Sequence, residues 1–138
     1  MGKSISAQNN KVKKLCGMAA GAGQHKVEAM VIACGKDILV ALGGGTNCHI
    51  GATATAVPRP SLADGAKLSA SASVLCVTGH KEDEIARGTA LSLASACNCV
   101  VTVVAGIHID GATSEDIAIL KRNCECLAAR LSKKMSRR

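Results

Sequence analysis

Hydrophobic and polar residues alternate over several short stretches of the chain, as is typical of strands with one buried face. The alternation predicts four strands, separated by turns, over residues 26–34, 38–42, 49–57 and 68–77. A glycine-containing turn at residues 35–37 predicts that the first two strands form a hairpin. We expect the third strand to end at residues 58–60, because proline cannot donate a hydrogen bond to a sheet.

The period of the pattern changes after residue 82. Residues 82–96 predict a helix with one apolar stripe, formed by Ala86, Ala90, Leu93, Ala94 and Cys97. Residues 99–105 are a continuous Val-rich run, which indicates a strand covered on both faces near the middle of the sheet. Thr113, followed by acidic residues, predicts a second helix start. Apolar residues then recur at helical spacing at Ile117, Leu120, Cys124, Leu127 and Leu131.

The order β-β-β-β-α-β-α predicts an α+β, two-layer domain: a mixed, mostly antiparallel five-stranded sheet with two helices on one face. We expect this single domain to span residues 25–138. Residues 1–24 are rich in Gly, Ser, Ala, Asn and Lys, which predicts a flexible N-terminal segment with a short helix around residues 12–20. The sheet face opposite the helices is rich in Thr and Ser, so a second subunit or a ligand is expected to cover it.

The composition narrows the functional classes. The chain has 138 residues, 48% of them hydrophobic, but no Phe, Trp or Tyr. Aliphatic side chains bury less area each than aromatic ones, so a partner is expected to complete the core, which favours a homo-oligomer. No apolar run approaches the roughly 20 residues of a membrane helix, and no signal peptide is visible, which predicts a cytoplasmic protein without membrane contact. The eight cysteines form no C-x-x-C pair, so most are expected in the core rather than on zinc. The net charge of +7 lies largely at the chain ends, yet without aromatic residues we expect no nucleic-acid partner.

Two segments suggest a phosphate site. Gly43, Gly44 and Gly45 end a strand, and a glycine run lets backbone N–H groups approach a phosphate closely. Arg59 stands between two prolines on a stiff loop and could grip a phosphate with two donors. An equally good interpretation of the second segment is a strand terminator with a solvated arginine.

Histidines mark two further segments. His80 and Lys81 precede a helix start, where the positive end of the helix dipole favours an anion. His108 and Asp110 lie two residues apart at a strand end, which suits half of a metal site or a histidine hydrogen-bonded by the aspartate. Because His49, His80 and His108 all follow or end strands beside glycine, the sequence predicts that they converge on one site.

Five motifs, taken in this order, resemble the prenylated-flavin chaperones, the small D subunits that accompany gallate-type decarboxylases (LpdD-like). The resemblance covers about residues 26–131. Cys48 departs from it, because a proline is expected there. The motifs are G-G-G-x-x-x-H-I-G-A from Gly43, P-R-P-S-L from Pro58, Ser-Ala-Ser-Ala-Ser from Ser69, G-H-K-E-D-E from Gly79 and A-G-I-H-I-D from Ala105.

The resemblance implies a non-catalytic carrier. Such a protein protects prenylated flavin mononucleotide, or FMN, and delivers it from a flavin prenyltransferase to a UbiD-type aromatic acid decarboxylase. The cofactor would be held by Gly43, Gly44, Gly45, His49, Arg59, Ser71, Ser73, His80 and Lys81. A divalent metal bridging to the phosphate would be held by His49, His80, His108 and Asp110.

Two alternatives remain open at this point. One is a metal-dependent hydrolase or a flavin-modifying oxidase that uses the His/Asp cluster, although no second carboxylate stands where a base is needed. The other is a structural subunit that completes the decarboxylase and binds no flavin.

Overall fold

The computed structural model describes residues 10–77 and 82–138, which form one sheet and two helices. A short 3-10 turn at Gly23–His25 joins the first two strands. The elements along the chain are β1 (Val12–Ala20), β2 (Val27–Cys34), β3 (Asp37–Gly45), β4 (Asn47–Pro60), β5 (Leu68–Cys76), α1 (Asp83–Cys97), β6 (Val101–His108) and α2 (Ser114–Met135).

The sheet has six strands in the order β1-β2-β3-β6-β4-β5. The Val-rich β6 lies between β3 and β4, parallel to the first and antiparallel to the second, which confirms its predicted place near the middle of the sheet. The predicted cover on both faces is not seen in the described residues, because Thr102 and Val104 on the face opposite the helices are only half-buried. The other pairings are antiparallel, so the sheet is mixed and mostly antiparallel, as expected. The hairpin of β2 and β3 is also confirmed. However, β3 and β4 are separated by β6 and do not pair as consecutive strands.

The predicted number of five strands is wrong, because β1 adds a sixth. Residues 12–20 form no helix; they pair antiparallel with β2 and extend the sheet into the segment expected to be flexible. Cys16 and Met18 pack against the core, and the Arg130 guanidinium in α2 donates a 2.7 Å hydrogen bond to the Ala19 carbonyl. These contacts fix β1 as part of the folded unit.

β4 also continues further than predicted, through both of its prolines to Pro60. The Ser61 N–H donates to the Lys67 carbonyl, so the odd-numbered residues at this end of β4 are the ones that face β5 with their backbone groups. Pro58 and Pro60 are even-numbered, and their backbone nitrogens therefore face away from β5. On that other side, the pairing with β6 extends only as far as Ala56. The missing N–H groups of the prolines therefore remove no ladder bond.

The core lies on one face of the sheet, beneath both helices. Alternate residues of the central strands are buried in register; Val31, Val40, Val103 and Ala54 form one such row. α1 packs on β4, β5 and β6, whereas α2 packs on β1, β2 and α1. Both predicted helices are confirmed, with buried stripes at Ala86, Thr89, Ala90, Leu93 and Ala94 in α1 and at Leu120, Cys124, Leu127, Leu131 and Met135 in α2.

The cysteines only partly follow the predicted core role. Cys99 and Cys124 are buried, and burial raises the pKa of their thiols to about 11 and about 12. Cys16 and Cys97 are partly buried and pack against the core, whereas Cys34, Cys48, Cys76 and Cys126 are exposed, so only half of the thiols lie in or against the core. None of the eight thiols is in a disulfide.

A polar cluster joins the Gly23–His25 turn to the start of α2. Thr113 and Asp116 form a capping box, and the Asp116 carboxylate also lies 2.8 Å from the His25 Nε2. The Asn123 amide donates to the His25 carbonyl. His25 thus has a structural role, in keeping with its exclusion from the predicted site.

We expect the Asp116 cluster to make stability depend on pH in the acid range. The hydrogen bonds to Asp116 from the Thr113 N–H, the His25 ring and the Thr113 hydroxyl lower its pKa from 3.8 to about 2. Because folding lowers the pKa of Asp116, its ionised carboxylate stabilises the fold at pH values above the ordinary pKa of an aspartate. This contribution is lost as the pH falls towards about 2. The difference in free energy of unfolding between wild type and Asp116→Asn should therefore shrink between about pH 5 and about pH 2, measured by urea denaturation. A difference that stays constant over this range would contradict the assignment.

Neither helix in the described residues is long and apolar enough to cross a membrane.

Candidate functional site

The polar residues of three motifs meet where β4 begins and β6 ends. The His49 Nε2 lies 3.0 Å from the Glu82 Oε1, just before α1. The same carboxylate oxygen accepts a 3.3 Å hydrogen bond from the Ile107 N–H. Glu82 is only 7% exposed, so this carboxylate is a buried charge held by specific partners. We call the group His49, Gly51, Glu82, Gly106 and His108 the His49 corner.

Two glycines make the His49 corner possible. A Cβ at Gly51 would collide with the Glu82 carboxylate, and a Cβ at Gly106 would collide with the His49 backbone carbonyl. The pairing of β4 with β6 shifts register between Cys48 and Ala52, which carries the His49 backbone over Gly106. The glycines of the first and fifth motifs are therefore required for close packing against the residues of the other motifs.

His108 completes the corner from the end of β6. Its Nε2 lies 2.8 Å from the Asp110 Oδ1, and its ring meets the His49 ring edge-on at a centroid distance of 6.2 Å. Two histidine–carboxylate pairs thus stand side by side, one half-buried and one largely exposed. Such pairs orient their imidazole rings and can donate or accept protons or hydrogen bonds at a ligand.

The predicted metal site is not supported. Across residues 10–77 and 82–138, no group of three or more His, Cys, Asp or Glu side chains is arranged to hold a metal ion. His49 and His108, the two predicted ligand histidines that the structure describes, each direct the Nε2 at a separate carboxylate. Of the four predicted ligands, His80 lies outside the described residues, and Asp110 is engaged by His108.

The glycine run packs tightly within the sheet. A Cβ at Gly44 would lie 2.6 Å from the Lys26 carbonyl, and a Cβ at Gly43 would lie 2.8 Å from the Cys48 Sγ. Gly45 has a φ of +76°, and its N–H donates to the Lys26 carbonyl. The three residues are paired with β2, with β6 or with both, so the ladders of the sheet explain the glycines without a phosphate.

Arg59, Ser71 and Ser73 lie away from the His49 corner. The Arg59 Nε donates a 2.7 Å hydrogen bond to the Ser71 Oγ across β4 and β5, and its Nη1 donates to the Pro60 carbonyl. Ser73 pairs with Thr55 in the middle of the same strands. Arg59 is ten residues beyond His49 along β4, which at roughly 3.3 Å per residue is about 30 Å. A single bound nucleotide therefore does not reach both ends within one chain.

The sheet face opposite the helices carries a cavity of about 790 Å³ that opens to solvent. We call this side of the sheet the open face, and nothing in the described part of the chain covers it. The floor of the cavity is apolar, formed by Met30, Leu39, Ala41 and Val104, with Gly17 and Ala19 of β1 along one side. Glu28, Cys48, His49 and Ile50 line the rest, so the cavity reaches the His49 corner.

Several of these residues were not predicted. The sequence places Glu82 at the start of a predicted helix and the floor residues within predicted strands, and neither pattern marks a ligand site. The one available signal for Glu82 was its place in the same motif as His80 and Lys81. His80 and Lys81 themselves lie outside the described residues and stay predictions.

Together, the fold and the site define a two-layer α+β protein with an apolar ligand-sized cavity on its open sheet face and the His49–Glu82 pair at the cavity edge. A family model described as the prenylated flavin chaperone LpdD-like domain matches residues 21–136. The chain therefore belongs to the prenylated flavin chaperone LpdD-like family, which confirms the resemblance seen in the motifs.

Structural comparison supports the fold independently. One similar chain comes from the crystal structure of a novel chaperone complex for yeast 20S proteasome assembly. It has a TM-score of 0.50 and 14% sequence identity, and the match covers 87% of this chain and 98% of that one. At this identity the similarity concerns the fold alone. A search of curated proteins gave no match.

Proposed function

We propose that this protein binds prenylated flavin mononucleotide on its open face and carries it to a UbiD-type aromatic acid decarboxylase, without catalysing a reaction itself. The observation that carries the proposal is the apolar cavity of about 790 Å³ beside the His49 corner. Small-molecule sites commonly measure about 300 to 1,000 Å³ and combine apolar walls with a few placed polar groups. Membership of the prenylated flavin chaperone family makes the flavin the natural occupant.

The lining suits a flat, largely apolar ring. The chain has no aromatic side chain, so the ring would lie on the aliphatic floor of Met30, Ala41 and Val104 rather than stack on Tyr or Trp. The thioether of Met30 is polarisable and makes favourable contacts with aromatic rings. His49, held by Glu82 at the cavity edge, would supply a hydrogen bond to the polar rim of the flavin.

The phosphate of the cofactor needs cationic or N–H partners. We propose His80 and Lys81 for this role, because they immediately precede Glu82 in the chain and Glu82 is fixed at the His49 corner. Arg59 is too far from the corner to serve the same bound molecule in one chain. The source of the cofactor would be a flavin prenyltransferase, and a second copy of this chain is the proposed further partner.

We expect protein made anaerobically alongside a flavin prenyltransferase to carry a flavin absorption band and to release a ligand with the mass of the prenylated cofactor. The chain has no Trp or Tyr, so a near-ultraviolet band, as well as a visible one, would come from a ligand. Ala41→Asp places a carboxylate on the apolar floor and should weaken flavin binding at least about tenfold. A tenfold change corresponds to a loss of only about 1.4 kcal/mol in the free energy of binding.

Ala129→Asp on the exposed surface of α2 is the matched control and should bind flavin like the wild type. Equal loading of Ala41→Asp and wild type would place the site away from this cavity. A colourless wild type, with the cofactor demonstrably present, would favour a structural subunit of the decarboxylase over a carrier.

A further inference from the structure

The two edges of the sheet differ sharply in character. β1 carries Lys13 and Lys14 and has a register shift between Lys14 and Cys16, and lysines and bulges both discourage an edge strand from pairing with another chain. β5, at the other edge, reads LSASASVLC and has no charged residue, no proline and no register shift. No strand in residues 10–77 or 82–138 pairs with its outer side.

Exposed apolar side chains concentrate around β5. Ten large hydrophobic residues are exposed in the described part of the chain, and six of them fall between residues 57 and 77. Leu75 is 75% exposed, on the same sheet face as the cavity. The six are Val57, Leu62, Leu68, Val74, Leu75 and Val77. Clustered exposed apolar residues next to an unprotected strand edge mark a surface that another chain covers.

The hydrogen-bonding groups of β5 alternate in a defined way. The Val77 N–H donates to the Gly51 carbonyl, and at the other end the Ser61 N–H donates to the Lys67 carbonyl. Because the register between β4 and β5 is continuous, the odd-numbered residues of β5 bond to β4. The even-numbered residues Ala70, Ala72 and Val74 therefore turn their N–H and C=O groups outward, ready for a further strand.

We propose that β5 pairs antiparallel with β5 of a second copy of this chain, with the two-fold axis at Ala72. This register overlaps the entire strand, and it sets Ser71 opposite Ser73 and Ala70 opposite Val74 of the other copy. Small side chains near the axis let the two strands approach without steric conflict, and a two-fold interface requires such a self-complementary segment. The result is a continuous twelve-stranded sheet, two copies of the six-stranded one, with both open faces on the same side.

The other possible occupants of this edge fit less well. An extended peptide from a different protein would pair by the same backbone groups, but it would leave the local symmetry of Ser71-Ala72-Ser73 about Ala72 without a use. The pairing does not depend on the flavin proposal, since it involves neither the cavity floor nor the His49 corner.

The test is the mass of the full-length protein in solution, by light scattering or sedimentation equilibrium under reducing conditions, because four cysteines are exposed. The wild type should have about twice the chain mass of 14.0 kDa at micromolar concentrations. Ala72→Pro removes an outward N–H and no bond to β4, and Leu75→Lys puts a charge on the exposed edge. Each should raise the dimer dissociation constant at least about tenfold while the circular dichroism spectrum is retained.

Val12→Lys makes the same kind of change, apolar to lysine, at an exposed residue of the other edge strand and should leave the dimer unchanged. A monomeric wild type overturns the proposal. A dimer that survives both β5 variants, or one that Val12→Lys disrupts instead, also overturns it, because the interface then lies elsewhere. The flavin band measured on the same samples reports on the carrier proposal separately.

Discussion

Gly106→Ala should destabilise the protein by about 3 kcal/mol or more, although it adds a single methyl group. The Cβ at this position would overlap the carbonyl carbon and oxygen of His49, so the neighbour that must move is backbone rather than a flexible side chain. Overpacking usually costs about 1 to 3 kcal/mol, and a fixed backbone in a paired strand leaves little room for relaxation. Urea denaturation followed by circular dichroism measures the change in free energy of unfolding.

Gly88→Ala provides the matched control for Gly106→Ala. Gly88 lies on the exposed surface of α1, and a Cβ there meets no atom within 4 Å. Alanine is the better helix former by about 0.5 to 1 kcal/mol, so this variant should be slightly more stable than the wild type. If Gly106→Ala proves as stable as Gly88→Ala, the crossing of the His49 backbone over β6 is not as tight as described.

The spacing of buried residues along each strand decides which strands can be predicted from the sequence. Strands β2, β3 and β4 were predictable because alternate residues form one buried face, and β5 because its sequence alternates, although Ala70 is its one buried residue. β6 was predictable from its continuous Val-rich run. β1 was not, because its register shift places Leu15, Cys16 and Met18 on or near the core at a spacing that resembles a helix. A bulge changes the period of the pattern locally, and periodicity alone cannot distinguish the two structures.

The candidate site was predictable in its types of residue but not in its connections. The shared position of His49 and His108 beside glycine correctly suggested proximity, since both lie at the same end of the sheet. Arg59 was grouped with them, yet it lies at the far end of a 14-residue strand. Glu82 has the sequence context of a helix cap, and only the packing of α1 on β4 and β6 brings its carboxylate to these strands.

Glu82→Ala should be the second strongly destabilising change, at about 3 kcal/mol. It removes the acceptor of the Ile107 N–H and the partner of the His49 ring, and it leaves a void beside Gly51. A hydrogen bond to a charged group contributes about 1.5 to 3 kcal/mol, and a buried N–H left without its acceptor adds its own desolvation cost. Glu82→Gln retains an acceptor of the same shape, so its cost should be about 1 kcal/mol.

The control for Glu82 is Glu84→Ala, which removes an exposed acid from the same first turn of α1 and should change stability by about 0.5 kcal/mol at most. Stability alone does not separate packing from ligand binding, so flavin retention is measured on Glu82→Gln, the variant that stays folded. If Glu82 orients His49 for the cofactor, Glu82→Gln should release flavin faster than Glu84→Ala while both variants remain folded under the conditions of the binding measurement. Equal flavin retention in the two variants would confine Glu82 to a structural role and move the hydrogen bond of the cofactor to another residue of the cavity edge.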